Sequence, residues 1–227
     1  MDGVPKPHVV DRDATDLAPA LTVAPGSGPF HIKGLVLHGL LEYVTQNVPG
    51  GPARVIDGIA DPLIREYMKR SFLAASRYDI IPFLHTLAAA ANVLCMPTSR
   101  FVAEHGAWQA ERDVSGVYRL LLKVASPETV AKRLGLAWAR YFDFAHLDVL
   151  SVTPGCVVLG VRQMPAVLVP WYKIAARAAG DTIIRLAGAT DIKVGFTHLE
   201  PDGESAGFPL RRFELRRTWA HTKELAR

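Results

Sequence analysis

The hydrophobic period of this chain changes once, near residue 146, and that change constrains the fold more than any other feature. Before it, apolar residues recur at helical spacing. In "HIKGLVLHGLLEYV", residues 31 to 44, the positions Leu35, Leu37, Leu40, Leu41 and Val44 outline a first helix, which "VPGGP" ends. "DPLIREYMKRSFLAAS" (61–76) opens with Asp61 before Pro62, an N-cap followed by a first-turn proline. "IIPFLHTLAAAANVL" (80–94) is apolar nearly all round and predicts a buried helix. "PTSRFVAEHGAWQAER" (97–112) mixes its faces, "GVYRLLLKV" follows, and "SPETVAKRLGLAWARYFDF" (126–144) predicts a helix starting at Ser126 and Pro127.

After the change the period is two. "HLDVLSVT" and "CVVLGVRQM" flank Pro154-Gly155 as a β-hairpin. Pro170 starts a last long helix, and Gly188 stops it. Its small residues Ala175, Ala178, Ala179 and Gly180 would let a sheet approach closely. "TDIKVGFTHL", the turn "EPDGESAG" and "FPLRRFELRR" make a second hairpin. The predicted class is therefore α+β: an N-terminal helical half packed on a C-terminal antiparallel sheet, in strand-strand-helix-strand-strand order. Residues 1–29, with five prolines and "PGSGP", read as an extended tail or pairing arm. Residues 30–218 read as one domain, and 219–227 as a C-terminal tail.

Composition narrows the function classes. With 49% hydrophobic and 21% charged residues, 227 residues make a globular domain with a sizeable core. The formal charge is +4, but cationic side chains are interleaved with carboxylates, which argues against a nucleic-acid partner. Cys95 and Cys156 sit in apolar surroundings and read as buried reduced thiols. "MDGVPKPHVVDRD" has no signal-peptide core, and no apolar run is long enough to span a bilayer, so a cytoplasmic location is expected.

Catalytic motifs are missing. There is no phosphate loop, nucleophile elbow, H-E-x-x-H or C-x-x-C. His31 and His38 stand two helical turns apart, roughly 10.5 Å, too far to grip one ion. His85 and Cys95 lie roughly 15 Å apart along their helix and read as core. No catalytic residue, metal ligand or cofactor is assigned, and an enzyme is not expected.

Aromatic clusters are the remaining candidates. Trp138, Tyr141, Phe142, Phe144 and His146 form either core where helix meets sheet or the wall of an apolar ligand pocket, with Arg140 or His146 as its polar group. Trp171, Tyr172 and Arg177 pose the same choice. Arg211, Arg212, Arg216 and Arg217 read as a charged edge strand or as a surface for an anionic partner.

The opening "HIKGLVLHGLLEYV", with its Lys33-Gly34, resembles the start of heme-nitric-oxide-binding (H-NOX) domains. The closing "AGDTIIRLAG" and "TDIKVGFTHLEPDG" resemble their final unit, and also vinyl-reductase-type ligand-binding domains and small subunits of the vesicle-tethering transport particle. Within that superfamily the chain looks most like a paralogous family expanded in myxobacteria. The resemblance covers about residues 30 to 217. It implies a proximal histidine on the helix before the first hairpin and a Tyr-x-Ser-x-Arg triplet, if heme is held. Helix 126–144 has no histidine, and "VLGVR" at the triplet's place keeps only Arg162. The cysteines that vinyl-reductase-type domains carry near their C-terminus are missing too.

The expectation is a heme-free, non-enzymatic regulatory module that binds a small apolar or amphipathic ligand between helical half and sheet. Trp138, Tyr141, Phe142, Trp171 and Tyr172 would be the wall, and His146, Arg162 or Arg177 the polar anchor. The alternative is a scaffold or dimerising interaction domain without a pocket.

Overall fold

A computed structural model describes residues 17–19, 23–114 and 125–221. Five helices and a small ribbon build the first half. Strand β1 (His31–Lys33) pairs antiparallel with β2 (Arg77–Asp79). Around them run α1 (Gly34–Asn47), α2 (Gly51–Asp57), α3 (Pro62–Met68), α4 (Ile80–Val93) and α5 (Thr98–Asp113). Two short helices follow, α6 (Pro127–Ala131) and α7 (Leu134–Tyr141). The second half comprises β3 (His146–Thr153), β4 (Cys156–Pro165), α8 (Val169–Leu186), β5 (Ala189–Phe196), β6 (Glu200–Ser205) and β7 (Phe208–His221).

Local chemistry explains most boundaries. Asp61 caps α3 by accepting from the Leu63 and Ile64 amides at 2.8 and 3.2 Å, with Pro62 in the first turn. Ser126 caps α6 the same way, accepting from Thr129 at 3.2 Å. Gly155 at φ +72° turns the β3–β4 hairpin, and Gly188 at φ +92° ends α8. The helix expected at 126–144 is two pieces, and the one expected at 61–76 stops at Met68. "GVYRLLLKV" lies outside the described residues.

The sheet order is β3-β4-β7-β5, with β6 also paired to β7, all antiparallel. Most of the predicted turn "EPDGESAG" is itself a strand, Glu200–Ser205. Glu200 faces Arg212 across the register and bonds its guanidinium at 2.9 Å, while Pro201 is tolerated because β6 is an edge. The arginine-rich strand β7 is central, not an edge, which corrects the edge-protection reading. Arg217 points inward and is 1% exposed.

One core runs through both halves, from Leu37, Leu40, Phe83 and Phe101 to Val161, Trp171, Tyr172 and Phe213. A smaller cluster (Val157, Leu159, Ile184, Leu215, Trp219) lies between α8 and the sheet. Burial of this apolar surface is the dominant stabilising term. The described part of the N-terminal segment belongs to this body. Leu17 is in the core, and the buried Asp79 carboxylate accepts from the Gly26 and Gly28 amides at 3.1 and 3.2 Å. At the other end β7 extends to His221, with Trp219 buried.

The histidine pair of the opening segment is split. His31 lies in β1, where its Nδ1 bonds Asp143 Oδ2 at 2.8 Å; His38 lies on α1 and donates to the Phe72 carbonyl at 2.6 Å. His85 donates to the Pro19 carbonyl at 2.9 Å. Cys95, expected to be buried, is exposed at φ +51° just past α4, and Cys156 is half-buried. Among the described residues, no single helix is long and apolar enough to cross a membrane.

Candidate functional site

A cavity of about 250 Å³ lies where the helical half meets the sheet. Helices α5, α7 and α8 wall it, Phe83 and Val36 close one side, and Leu159 and Leu215 form the floor on β4 and β7. The lining is overwhelmingly apolar, the usual character of a small-molecule site.

Small residues set the spacing between α5 and α8. A methyl group at Gly106 would meet the Ala178 Cβ at 3.6 Å and the Ala175 backbone at 3.7 Å, so the two helices lie in near contact there. The small face of α8 thus serves a helix as well as the sheet, where only a sheet was expected. At Gly180 a Cβ would collide with the Arg217 guanidinium, so glycine makes room for a buried arginine.

Arg217 is nevertheless satisfied. Its Nε donates to Asp181 Oδ1 at 3.0 Å and its Nη2 to the Ala176 carbonyl at 2.9 Å. Burial pushes its pKa down and Asp181 opposes that. The aromatic wall is tightly interlocked. Trp138 stacks on Phe142 with centroids 3.9 Å apart, meets Tyr172 edge-on at 5.1 Å, and donates Nε1 to the Phe144 carbonyl at 3.0 Å. Burial, and then the Asp113 carboxylate, push the Tyr141 hydroxyl up to about 12.

Among the described residues, three polar atoms of the lining side chains are buried without hydrogen-bond partners: His105 Nε2, Gln109 Oε1 and the Tyr172 hydroxyl. Such orphans are rare enough to need a cause. Gln109 Oε1 has one, because it is pressed against Gly39, where a Cβ would overlap it. The other two do not. His105 projects from the buried stripe of α5, which also carries Phe101, Val102 and Ala110. Its ring lies parallel to Phe101 at 6.5 Å and meets Tyr43 edge-on at 5.5 Å. Burial depresses its pKa to about 4, so the imidazole is neutral at physiological pH. Tyr172 is fully buried, and burial pushes its hydroxyl well above the ordinary tyrosine value.

Of the residues singled out from sequence, Trp138, Tyr141, Phe142, Trp171 and Tyr172 line the cavity together. His146, Arg162 and Arg177 do not. His146 is exposed on β3, Arg162 is exposed and paired with Asp148 at 2.7 Å, and Arg177 points out to the Val194 carbonyl at 2.9 Å. The alternation of a strand explains Arg162: its inward neighbour is Val161, which is fully buried. The polar side chains of the lining are instead His105, Gln109 and Asp113 on α5 and Arg217 on β7, beside the tyrosines already named. Sequence reading missed His105; the signal that could have found it is "FVAEHGA", where it stands four residues after Phe101 and three after Val102 on one helical stripe. Among the described residues no three His, Cys, Asp or Glu side chains cluster as metal ligands.

No family model matches the chain, and no curated protein matches it. Solved structures do. An H-NOX protein from S. oneidensis in the Fe(II) ligation state, a triple mutant, matches with TM-score 0.59 at 13% identity, over 86% of this chain and 100% of that one. Fe(II) unliganded H-NOX protein from K. algicida gives 0.57 at 11%, over 86% and 100%. An oxygen-binding H-NOX domain related to soluble guanylate cyclases gives 0.57 at 10%, over 86% and 99%. Identities this low speak for architecture alone, and in architecture the chain is an H-NOX-like α+β domain.

Proposed function

We propose that this chain is a non-enzymatic, sensor-like module that binds a small apolar or amphipathic ligand, without heme, in the seam between its halves. Within the H-NOX-like superfamily we assign it to the myxobacterial paralogous family, on Lys33-Gly34 and the closing segment. The observation that carries the functional reading is the cavity itself, about 250 Å³ and walled by both halves. A ligand there touches α5 and β7 at once, so it favours the packing of the halves that fits it over any other.

Heme deserves a direct test, because the structural neighbours include heme proteins by their own description. One feature suits it: the neutral His105 Nε2 is a competent axial donor. The rest does not. Drug-sized ligands occupy roughly 300–1,000 Å³, and a porphyrin with two propionates is at the upper end of that class. Near contact of α5 and α8 at Gly106 leaves no slot for a macrocycle. Propionates need cationic or hydroxyl donors, and Arg217 is already engaged with Asp181 and Ala176 while Arg162 faces outward. The residues present do not fit a porphyrin.

A scaffold with a filled core is the weaker reading, since the core is not filled. The described N-terminal residues also pack on their own chain through Leu17 and Asp79. Thermal shift against a panel of small apolar and amphipathic molecules, with native mass spectrometry, tests the proposal. A ligand at a hundred times its Kd adds about 2.7 kcal/mol and raises the melting temperature by upward of about 5 °C. No shift from any of the panel would overturn it. So would hemin titration giving a Soret band that His105→Leu abolishes.

A further inference from the structure

Size and polarity of the cavity narrow the ligand further, an inference that rests on the ligand-binding reading above. An engineered cavity of about 150 Å³ lined by aliphatic and aromatic side chains accepts benzene. A cavity of about 250 Å³ accordingly takes a bicyclic body of about ten heavy atoms. Flat rings suit it, because the aromatic side chains of Phe83, Trp138, Phe142 and Trp171 line the space.

Charge is the second constraint. Among the described residues Arg217 is the one guanidinium in the wall, and Asp181 neutralises it. Asp113, the one carboxylate in the wall, is paired with Arg112 at 3.3 Å and accepts from Gln109 at 2.9 Å. Among the described residues, an anion therefore meets no uncommitted cation, and a cation no uncommitted anion. Burying an unpaired charge there would cost far more than any contact returns. Polarity is the third constraint. His105 and Tyr172 both line this cavity, and their Nε2 and hydroxyl, closed even to water in this packing, lack partners among the described residues, so a ligand group reaches either one by a turn of the side chain toward the lumen. Leaving such atoms unmatched is costly, and a ligand that matches one recovers that cost.

We infer that the ligand is a compact, uncharged bicyclic or similarly flat aromatic molecule carrying a single hydrogen-bonding group, which pairs with His105 Nε2 or the Tyr172 hydroxyl. A ligand without that group leaves both atoms unmatched; a ligand with a charge has no counter-ion.

Three matched probes read this out in the full chain by calorimetry or by fluorescence: naphthalene, naphthol and naphthoate. Naphthol should bind about fivefold more tightly than naphthalene, the net effect of one neutral hydrogen bond. Naphthoate should bind at least about tenfold more weakly than naphthol. The naphthol advantage should vanish in Tyr172→Phe or in His105→Leu, whichever holds the group. Equal binding of naphthol and naphthalene, binding of naphthoate as tight as naphthol, or an advantage retained in both variants would overturn the inference while leaving ligand binding intact. If none of the three probes binds the wild-type chain, and the wider panel also fails, the functional reading falls with it. The probe series on wild-type protein decides even if a variant does not fold.

Discussion

The two walls of the cavity handle buried polarity in opposite ways. On the sheet side, Arg217 is almost wholly enclosed and engaged through Nε and Nη2, with Asp181 and the Ala176 carbonyl as acceptors and Gly180 cut back to make room. On the helical side, His105 is similarly enclosed, but its Nε2 has no partner among the described residues. Tyr172 resembles His105 in this respect although its neighbour is Arg217. A satisfied buried ion pair ties α8 to β7 and is expensive to break. An unsatisfied neutral donor or acceptor costs the fold its desolvation and is the kind of local inconsistency expected at a functional position. On the proposed reading, the contrast separates residues that build the cavity from residues that would address a ligand in it.

The sharpest way to break this contrast is Asp181→Ala. It leaves Arg217 buried without its counter-ion and should cost about 4 kcal/mol, read as a lower urea midpoint at unchanged slope. A loss below about 1 kcal/mol would mean that the Ala176 carbonyl alone suffices, and the two walls would then differ less than argued.

Acid probes the other wall. The folded chain holds His105 at about 4 against an ordinary 6.5, so between those values it binds fewer protons than the unfolded chain. Stability is then full above about pH 6.5 and declines as pH falls toward 4, by about 3 kcal/mol over the whole window. His105→Leu should remove this part of the pH slope, measured by urea unfolding at several pH values. An unchanged slope in the variant would assign the effect to other groups. The smallest effect is expected from Tyr172→Phe. Deleting a hydroxyl that has no partner should leave stability within about 1 kcal/mol of wild type, or raise it; a loss above about 2 kcal/mol would reveal a partner.

Periodicity made the architecture legible. The switch from helical to alternating spacing marks the junction of the two halves, and Asp61-Pro62, Ser126-Pro127, Pro154-Gly155 and Gly188 set boundaries through local chemistry that tertiary packing did not override. "EPDGES" misled because its turn-forming composition is overruled by pairing with β7, whose Arg212 complements Glu200. The aromatic wall was legible for a similar reason, since large rings bury wherever layers meet. The polar lining was not. Charged and titratable residues next to the aromatics in sequence, such as His146 and Arg177, point the other way, and the inward ones come from α5 and β7, remote in the chain. Which face an arginine takes on a strand depends on register, and a reader of sequence who counts β7 as an edge has no reason to send Arg217 inward.

The central place of β7 has a kinetic corollary. Leu159 and Leu215 lie opposite each other on β4 and β7, yet a helix and two further strands intervene along the chain. Joining such distant segments is among the slower events in folding. The floor of the cavity exists only once that join is made, so an occupant can strengthen contacts chiefly on the native side of the barrier. It would then act as a brake on opening and leave the rate of closing almost untouched. A module of this construction would register its ligand as a longer lifetime of the closed state.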